Sequence, residues 1–170
     1  DTASTVPTVL TLDSVDDTGI SSADLKTKID TGLTLSTRAE GNATVVVFEG
    51  STQRGTATAD VNGNVVLDVS LTEGVHVLTA QAKDLAGNVS AVSVGATITV
   101  DKTAPAVVDT NSVLPAVNTV YTPGSSLSFV LTFNESVVAA ADSTLSLTWT
   151  GLTNPVSAKL AAASQDRKST

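Results

Sequence analysis

Residues 98–105 read Ile98-Thr-Val-Asp-Lys-Thr-Ala-Pro105, a short apolar strand that continues directly into a polar segment ending in proline. The polar part, Asp101-Lys-Thr-Ala-Pro105, resembles the beginning of the chain, Asp1-Thr-Ala-Ser-Thr-Val-Pro7. The two copies start about a hundred residues apart, which is the size of one β-sandwich module. The sequence therefore predicts one complete module, a joint and the start of a second module.

Short β-branched segments separated by Gly, Asn and Asp fill the first hundred residues, and little of this region has helical periodicity. The pattern predicts strands over residues 8–13, 32–38, 43–49, 55–60, 65–71, 75–83 and 94–100. About seven strands with turns at this spacing predict an all-β, Ig-like Greek-key β-sandwich in a tandem array.

Alternation along each strand predicts the face that lies in the core. The predicted inward residues are Leu33, Leu35, Val46, Phe48, Val65, Leu67, Val69, Leu78, Ala80, Ala82, Ile98 and Val100. The turn Val61-Asn-Gly-Asn64 contains an Asn-Gly pair, which adopts positive φ readily and suits a tight hairpin. We therefore expect a hairpin between strands 55–60 and 65–71.

The second module has clear strand patterns at first but too few strands for a complete sandwich. Leu127, Phe129, Leu131 and Phe133 alternate with mostly polar residues, and Leu145, Leu147 and Trp149 repeat the pattern, so that Trp149 is predicted to be core. The tail 161–170 is small and polar where a sandwich needs more strands. We expect domains at 1–103 and 104–170, the second an incomplete Ig-like unit. Either the segment ends within a repeat, which we favour, or another chain supplies the missing strands.

Composition narrows the function. Nine basic residues against seventeen acidic ones give a net charge of −8, whereas nucleic-acid binding demands clustered Lys and Arg. The acidity suits solubility or divalent cations instead. Cysteine is absent, so disulfides and thiolate metal sites are excluded. No apolar run reaches the length of a bilayer span, and we expect no membrane insertion.

Catalytic residues are not evident in the sequence. His76 is the only histidine and lies at the start of a strand on the inward parity, so we interpret it as a packing residue at the rim of the core. Serines and threonines lack the partners of a triad. The glutamates, at positions 40, 49, 73 and 135, are scattered over different segments. We therefore predict that the protein is not an enzyme.

Several pieces in fixed order carry a family resemblance: Asp17-Thr-Gly-Ile-Ser-Ser-Ala-Asp24, residues 50–60, Asn62-Gly-Asn64, Glu73-Gly-Val-His76, Asp84-Leu-Ala-Gly-Asn88-Val-Ser90 and Asp101-Lys-Thr-Ala-Pro105. Together they resemble the bacterial Ig-like repeats of giant surface adhesins, the biofilm-associated and RTX-type proteins, over residues 1 to about 105. Residues 106–170 partly resemble a related Ig-like repeat. Ser4 and Thr5 depart from the usual Ala-Pro, and Val65 occupies a place often held by Trp.

This resemblance implies a secreted or cell-surface extender that carries an adhesive tip away from a bacterium, in support of cell adhesion or biofilm formation. It implies calcium ions at the joints between modules. The expected partners are neighbouring Ig-like repeats of the same polypeptide, with a host or surface glycan or protein bound through the parent adhesin.

The predicted calcium ligands are Asp16, Asp17, Asp24, Asp101, Asp84, Asn88 and Asp1. Calcium takes six to eight oxygen ligands. In an Ig-type sandwich the first interstrand loop lies at the outgoing end, which would place Asp16, Asp17 and Asp24 close to Asp101. Crowded carboxylates repel one another unless a cation joins them. At the opposite end the loop with Asp84 should approach Asp1.

Three alternatives stay open. The aspartates could be ordinary turn formers that bind their own backbone. The chain could instead be a glycan- or protein-binding module that uses loops 38–43 or 136–144. It could also be an accessory module of a secreted polysaccharide-degrading enzyme, because fold alone does not determine function.

Overall fold

The computed structural model describes residues 3–108 and 130–137, together with the backbone of two strands at Thr144–Leu147 and Val156–Lys159. The chain divides into two compact units, Asp1–Thr103 and Ala104–Thr170. Throughout the described residues the secondary structure is strand and turn without helix. The protein is therefore all-β, as the sequence predicted.

Two sheets make up the first unit. Their strands are β1 (Thr11–Leu12), β2 (Lys26–Thr27), β3 (Leu33–Arg38), β4 (Thr44–Glu49), β5 (Thr52–Thr58), β6 (Asn64–Val69), β7 (Gly74–Lys83) and β8 (Ala96–Val100). One sheet has the order β1-β3-β6 and the other β2-β8-β7-β4-β5. The β2–β8 pair is parallel, and the other strand pairs of the unit are antiparallel. This is the arrangement of an Ig-like sandwich.

The core lies between the two sheets. Leu33 and Leu35 of β3 are fully buried, as are Leu78 of β7 and Ile98 of β8. Burying an aliphatic side chain of this size contributes about 1.5–3 kcal/mol to the stability of the fold. The predicted inward residues on β3, β6, β7 and β8 are all buried, which confirms the alternation on those strands.

On β4 the predicted inward face is wrong. Val45 and Val47 are fully buried, whereas Val46 and Phe48 are only half-buried on the other face. Residues 45–48 are apolar at every position, so alternation could not choose between the two faces. Pairing with β7 makes the choice, because Val45 lies opposite buried Ala82 and Val47 opposite buried Ala80.

The first strand of the sandwich is split between the two sheets. Thr11 of β1 pairs with Ser36, while Lys26 of β2 pairs with Thr99 in the other sheet. Residues 13–25 therefore form a loop that passes from one sheet to the other. The predicted first strand, 8–13, covers only β1. The sequence missed β2, since two polar residues show no alternation.

The turn at Val61-Asn-Gly-Asn64 connects β5 to β6, but these strands belong to different sheets. The expected hairpin is therefore wrong, and the turn is a crossover between the sheets. Of the two central residues only Gly63 adopts a positive φ, at 83°. The short hairpin connection of this region is instead Gly50-Ser51, where Glu49 of β4 pairs with Thr52 of β5.

The two ends of the first unit can be assigned from β3. Thr8 N donates to Arg38 O, at the last residue of β3, with a distance of 2.9 Å. Lys102 Nζ binds Asp30 Oδ2, just before β3 begins, at 2.6 Å. The polypeptide therefore enters the unit at one end of the sandwich, the incoming end, and leaves it at the other, the outgoing end.

The second unit contains β9 (Thr144–Leu147) and β10 (Val156–Lys159), which pair antiparallel with Leu147 opposite Val156. Val107 forms an isolated bridge with Phe133. Of the predicted strand residues, Leu127, Phe129 and Trp149 lie outside the described residues, as does the tail 161–170.

Candidate functional site

The segment that leaves the first unit, Asp101–Thr103, is held by three different parts of that unit. Asp101 N donates to Thr27 O at 2.8 Å. Lys102 binds Asp30, and Thr103 Oγ1 donates to Glu73 Oε1. We call residues 101–103 the outgoing segment. Three consecutive residues are therefore attached to the body of the first unit.

The ion pair of the outgoing segment is electrostatically matched. The hydrogen bond and charge of Lys102 hold the pKa of the Asp30 carboxyl below its usual value. The same hydrogen bond, with the charge of Asp30, raises the pKa of Lys102. Both side chains are exposed to solvent, where such a pair adds little stability. Its main effect is to orient the segment.

The aspartates of the 13–25 loop bind backbone amides. Asp16 Oδ2 accepts from Thr34 N at 2.8 Å, Asp17 Oδ2 from Leu25 N at 2.9 Å, and Asp24 Oδ1 from Lys26 N at 3.2 Å. Asp101 Oδ1 accepts from Thr103 N at 3.1 Å. Asp24 and Asp101 each bind the amide two residues on, as turn-forming aspartates do, which is the plain alternative raised by the sequence. Asp16 and Asp17 instead bind amides 18 and 8 residues away.

Asp17 differs from the other three. Its side chain is buried, with 5 % of the residue exposed, and Oδ1 has no hydrogen-bond partner. The remaining three are half-exposed or exposed. A buried polar atom without a partner is costly, and it calls for an explanation such as a bound ion or water. Asp17 Oδ1 is therefore an available hard oxygen ligand in this loop.

The predicted ligands are brought together only in part. Asp17 and Asp24 lie in one loop, in which Gly19 N donates to Lys26 O at 2.9 Å and Asp17 binds the amide of Leu25, next to Asp24. Within residues 3–108 and 130–137, however, no three His, Cys, Asp or Glu side chains form a group that could hold a metal ion. The calcium site stays a prediction.

At the incoming end, Asp84 and Asn88 bind each other. Asp84 Oδ1 accepts from Asn88 N, and Oδ2 accepts from Asn88 Nδ2, both at 2.8 Å. Asp84 N in turn donates to Asn88 O at 3.0 Å. The hydrogen bonds from Asn88 lower the pKa of the Asp84 carboxyl. Asp1, the third residue predicted here, lies outside the described residues.

A second turn of the same design lies between β5 and β6. Asp60 Oδ1 accepts from Asn64 N and Oδ2 from Asn64 Nδ2, both at 2.8 Å. The pKa of Asp60 is lowered by these bonds. Both turns read Asp-x-x-Gly-Asn, and their glycines, Gly63 and Gly87, have φ of 83° and 94°. This repeated five-residue pattern is the signal in the sequence that identifies both turns.

His76 lies in a charged cluster near the outgoing end. The residue is buried, as expected for the rim of the core. Nδ1 lies 2.8 Å from Glu49 Oε1, and Nε2 lies 2.8 Å from Thr72 O. Arg54 binds Glu49 Oε2 through Nε and Nη2. His76 and then Arg54 lower the pKa of the Glu49 carboxyl. The sequence carries no signal for the pair of His76 and Glu49, because its members are 27 residues apart.

The two packed sheets and the split first strand define the class of an Ig-like β-sandwich module. A family model described as bacterial Ig-like domain matches residues 2–102, more than half of the chain. The chain therefore belongs to the bacterial Ig-like domain family. Domains of this family are typically non-catalytic and typically occur in extracellular or surface proteins.

The comparison with curated proteins gave no match. In the part of the chain that the structure describes, no helix has the length and apolarity needed to cross a membrane.

Proposed function

We propose that the protein is a structural extender module of a secreted or cell-surface bacterial adhesin, which supports cell adhesion or biofilm formation. One observation carries the proposal: the chain enters the first unit at one end and leaves it at the other, through an outgoing segment fixed by Thr27, Asp30 and Glu73. Modules with this connectivity join end to end, so each copy adds its full length to the array.

Stiffness is the second property that an extender needs, and the outgoing segment supplies part of it. A flexible linker would leave neighbouring modules free to reorient. Here each residue of 101–103 is tied to the body of the unit. The partners in this function are neighbouring Ig-like repeats of the same polypeptide, and the parent adhesin binds the host or surface glycan or protein.

Calcium is the finer part of the proposal. Asp17 Oδ1 is a buried oxygen without a partner, and calcium binds such hard oxygens. Asp16, Asp24 and Asp101 are the carboxylates proposed to complete the ligand set. For the joint at the incoming end the proposed ligands are Asp84, Asn88 and Asp1. Because calcium would bind only the folded state, binding at the outgoing end would raise the free energy of unfolding.

The test compares Asp17→Asn with Asp13→Asn. Asp13 is exposed in the same loop, and its Oδ1 accepts from Val15 N at 2.9 Å, so Asp13→Asn is a matched control. We expect calcium to raise the melting temperature of the wild-type chain and of Asp13→Asn, and to narrow the angular spread between units in small-angle scattering. Asp17→Asn should lose both responses.

A chelator that changes neither stability nor shape of the wild-type chain would contradict the calcium part. The extender part is tested separately by nitrogen-15 NMR relaxation of the backbone amides of residues 101–103, measured in the presence of chelator. Fast internal motion of these amides, comparable to that of a free linker, would contradict it.

A further inference from the structure

We propose that His76 is a proton-operated latch: as an imidazolium it fastens residues 71–73 to the end of β4, and loss of one ring proton releases the outgoing segment that these residues hold. The inference concerns the first unit alone and does not depend on calcium or on the adhesin assignment. We call residues 71–73 the corner segment.

The first step is the protonation state of the ring. Nε2 lies 2.8 Å from the carbonyl oxygen of Thr72, which can only accept a hydrogen bond. Nδ1 lies 2.8 Å from Glu49 Oε1, which is also only an acceptor when the carboxylate is ionised. A neutral imidazole has one N–H and cannot donate to both oxygens. The geometry is therefore that of a ring that carries both protons.

The ionised state of Glu49 is supported by its other contacts. Arg54 donates to Oε2 through two nitrogens, so the second oxygen of the carboxylate also faces donors. His76 and Arg54 together lower the pKa of Glu49 below its usual value of 4.5. Glu49 thus remains an acceptor at every pH at which histidine changes charge, between about pH 5 and pH 8.

Burial of the ring makes the loss of a ring proton costly. The side chain of His76 is only 8 % exposed, so water has little access to replace a lost hydrogen bond. When one proton leaves, a nitrogen lone pair faces an oxygen at hydrogen-bonding distance with no proton between them. Either the contact with Glu49 or the contact with Thr72 must then open. A buried acceptor without a donor is costly.

The corner segment connects this ring to the outgoing segment. Leu71 N donates to Asp30 O at 2.8 Å, and Asp30 binds Lys102. Thr72 O accepts from His76, and Glu73 accepts from Thr103 Oγ1. Each residue of the corner segment thus has a role: two hold the outgoing segment, directly or through Asp30, and the residue between them is held by His76.

The charged groups around the ring set the direction of the response. Glu49 comes from β4 and Arg54 from β5, and the residue paired with His76 on β8 is the uncharged Ile98. Glu73 and Lys102 lie on the corner and outgoing segments. Since Glu49 has a lowered pKa, its contribution is present above about pH 4.5 and is lost as the pH falls below that value. The latch is therefore closed while Glu49 is ionised and the ring carries both protons, and it opens when the ring loses one of them.

The test is an NMR titration of the full 170-residue chain in chelator, with nitrogen-15 in the histidine ring and in the backbone amides. At the acidic end of the titration both ring nitrogens should give the shifts of an imidazolium, and at its alkaline end one of them should not. The Thr103 amide should shift with the same midpoint as the ring. A singly protonated ring at the lower pH would overturn the imidazolium assignment, and a Thr103 amide that ignores the ring titration would overturn the latch.

Two variants separate the latch from an indirect effect. His76→Gln keeps one side-chain donor without a titrating group, so the Thr103 amide should become independent of pH over this range. A pH-dependent shift that persists in this variant would overturn the proposal. Thr103→Val removes the hydroxyl that binds Glu73 and leaves the ring in place, so the ring should still titrate while residue 103 no longer follows it. If His76→Gln does not fold, the titrations of the wild-type chain and of Thr103→Val test the latch on their own.

Discussion

The incoming and outgoing ends of the first unit differ in how far along the chain their carboxylates find partners. At the incoming end, Asp60 and Asp84 each bind an asparagine only four positions away. At the outgoing end, Thr103 reaches Glu73 across 30 residues and Lys102 reaches Asp30 across 72. The incoming turns are thus locally complete, whereas these two outgoing contacts exist only once the whole sandwich has formed.

This difference shows that polar groups in one small acidic module serve two purposes, turn formation at one end and attachment of the outgoing segment at the other. A local Asp-x-x-Gly-Asn turn satisfies its carboxylate whatever lies next to it, and it closes a loop at little entropic cost. The outgoing contacts instead convert the fold of the unit into a fixed direction for the chain. We expect substitutions at the incoming end to affect stability, and substitutions at the outgoing end to affect mainly the order of residues 101–103.

The largest effect is expected from Gly63→Ala, with Gly87→Ala as its matched control. Both glycines have positive φ in equivalent turns. A Cβ at Gly63 would lie 2.3 Å from Ala39 O, while one at Gly87 would meet nothing within 4 Å. We expect Gly87→Ala to cost about 1–2 kcal/mol from its backbone conformation, and Gly63→Ala to cost on the order of 3 kcal/mol or more because the backbone must also move.

Urea denaturation of the two variants measures this difference. The two turns share a sequence pattern but differ in their surroundings. A Gly63→Ala variant as stable as Gly87→Ala would show that the surroundings of Gly63 do not matter.

An intermediate effect is expected from acid. Asp60 and Asp84 have pKa values lowered below 3.8 in the folded state. Their contribution to stability is therefore present above about pH 4 and is lost as the pH falls through the folded values. The double variant Asp60→Asn, Asp84→Asn should be less stable than wild type at neutral pH and should lose less stability on acidification.

Urea midpoints measured from neutral pH down to about pH 2.5 give this acid slope. Asp13→Asn and Asp68→Asn, both exposed, together provide a control with the same change in charge. An acid slope unchanged in the Asp60 and Asp84 variant would contradict the assigned role of the turn carboxylates.

The smallest effect on stability is expected from Lys102→Ala. The ion pair with Asp30 is exposed and screened by salt, so the unfolding midpoint should hardly change. The backbone amides of residues 101–103 should nevertheless become more mobile on the nanosecond timescale, as measured by nitrogen-15 relaxation. Lys28→Ala, an exposed lysine near β2, should leave them unchanged. Equal mobility in all three chains would show that the ion pair does not order the segment.

Much of the first unit could be predicted because its strands alternate clearly. Val65, Leu67 and Val69 are buried while their neighbours are exposed, so a period of two identifies the face. On β4 the uninterrupted apolar run hid the face, and only pairing with Ala80 and Ala82 resolves it. The missed strand β2 is defined entirely by its parallel partner β8, which lies far away in the sequence.

The candidate site was less predictable for a related reason. A sequence shows that Asp17 is acidic but not that one of its oxygens is buried without a partner. Likewise, His76 has the parity of a core residue, yet its ring contacts Glu49 and Thr72, which approach it through the strand order β7-β4 and the corner segment. The Asp-x-x-Gly-Asn turns and the aspartates that bind an amide two residues on are local enough to be recognised from the sequence itself.

The polar edge of the five-stranded sheet has a consequence for how copies of the unit behave when they are close together. β5, at that edge, reads Thr52-Gln-Arg-Gly-Thr-Ala-Thr58, and its register with β4 shifts between Val47 and Phe48. Open strand edges are templates for edge-to-edge aggregation, and polar side chains, charges and bulges discourage it. An edge built in this way lets copies be crowded at high local concentration without fusing into a common sheet.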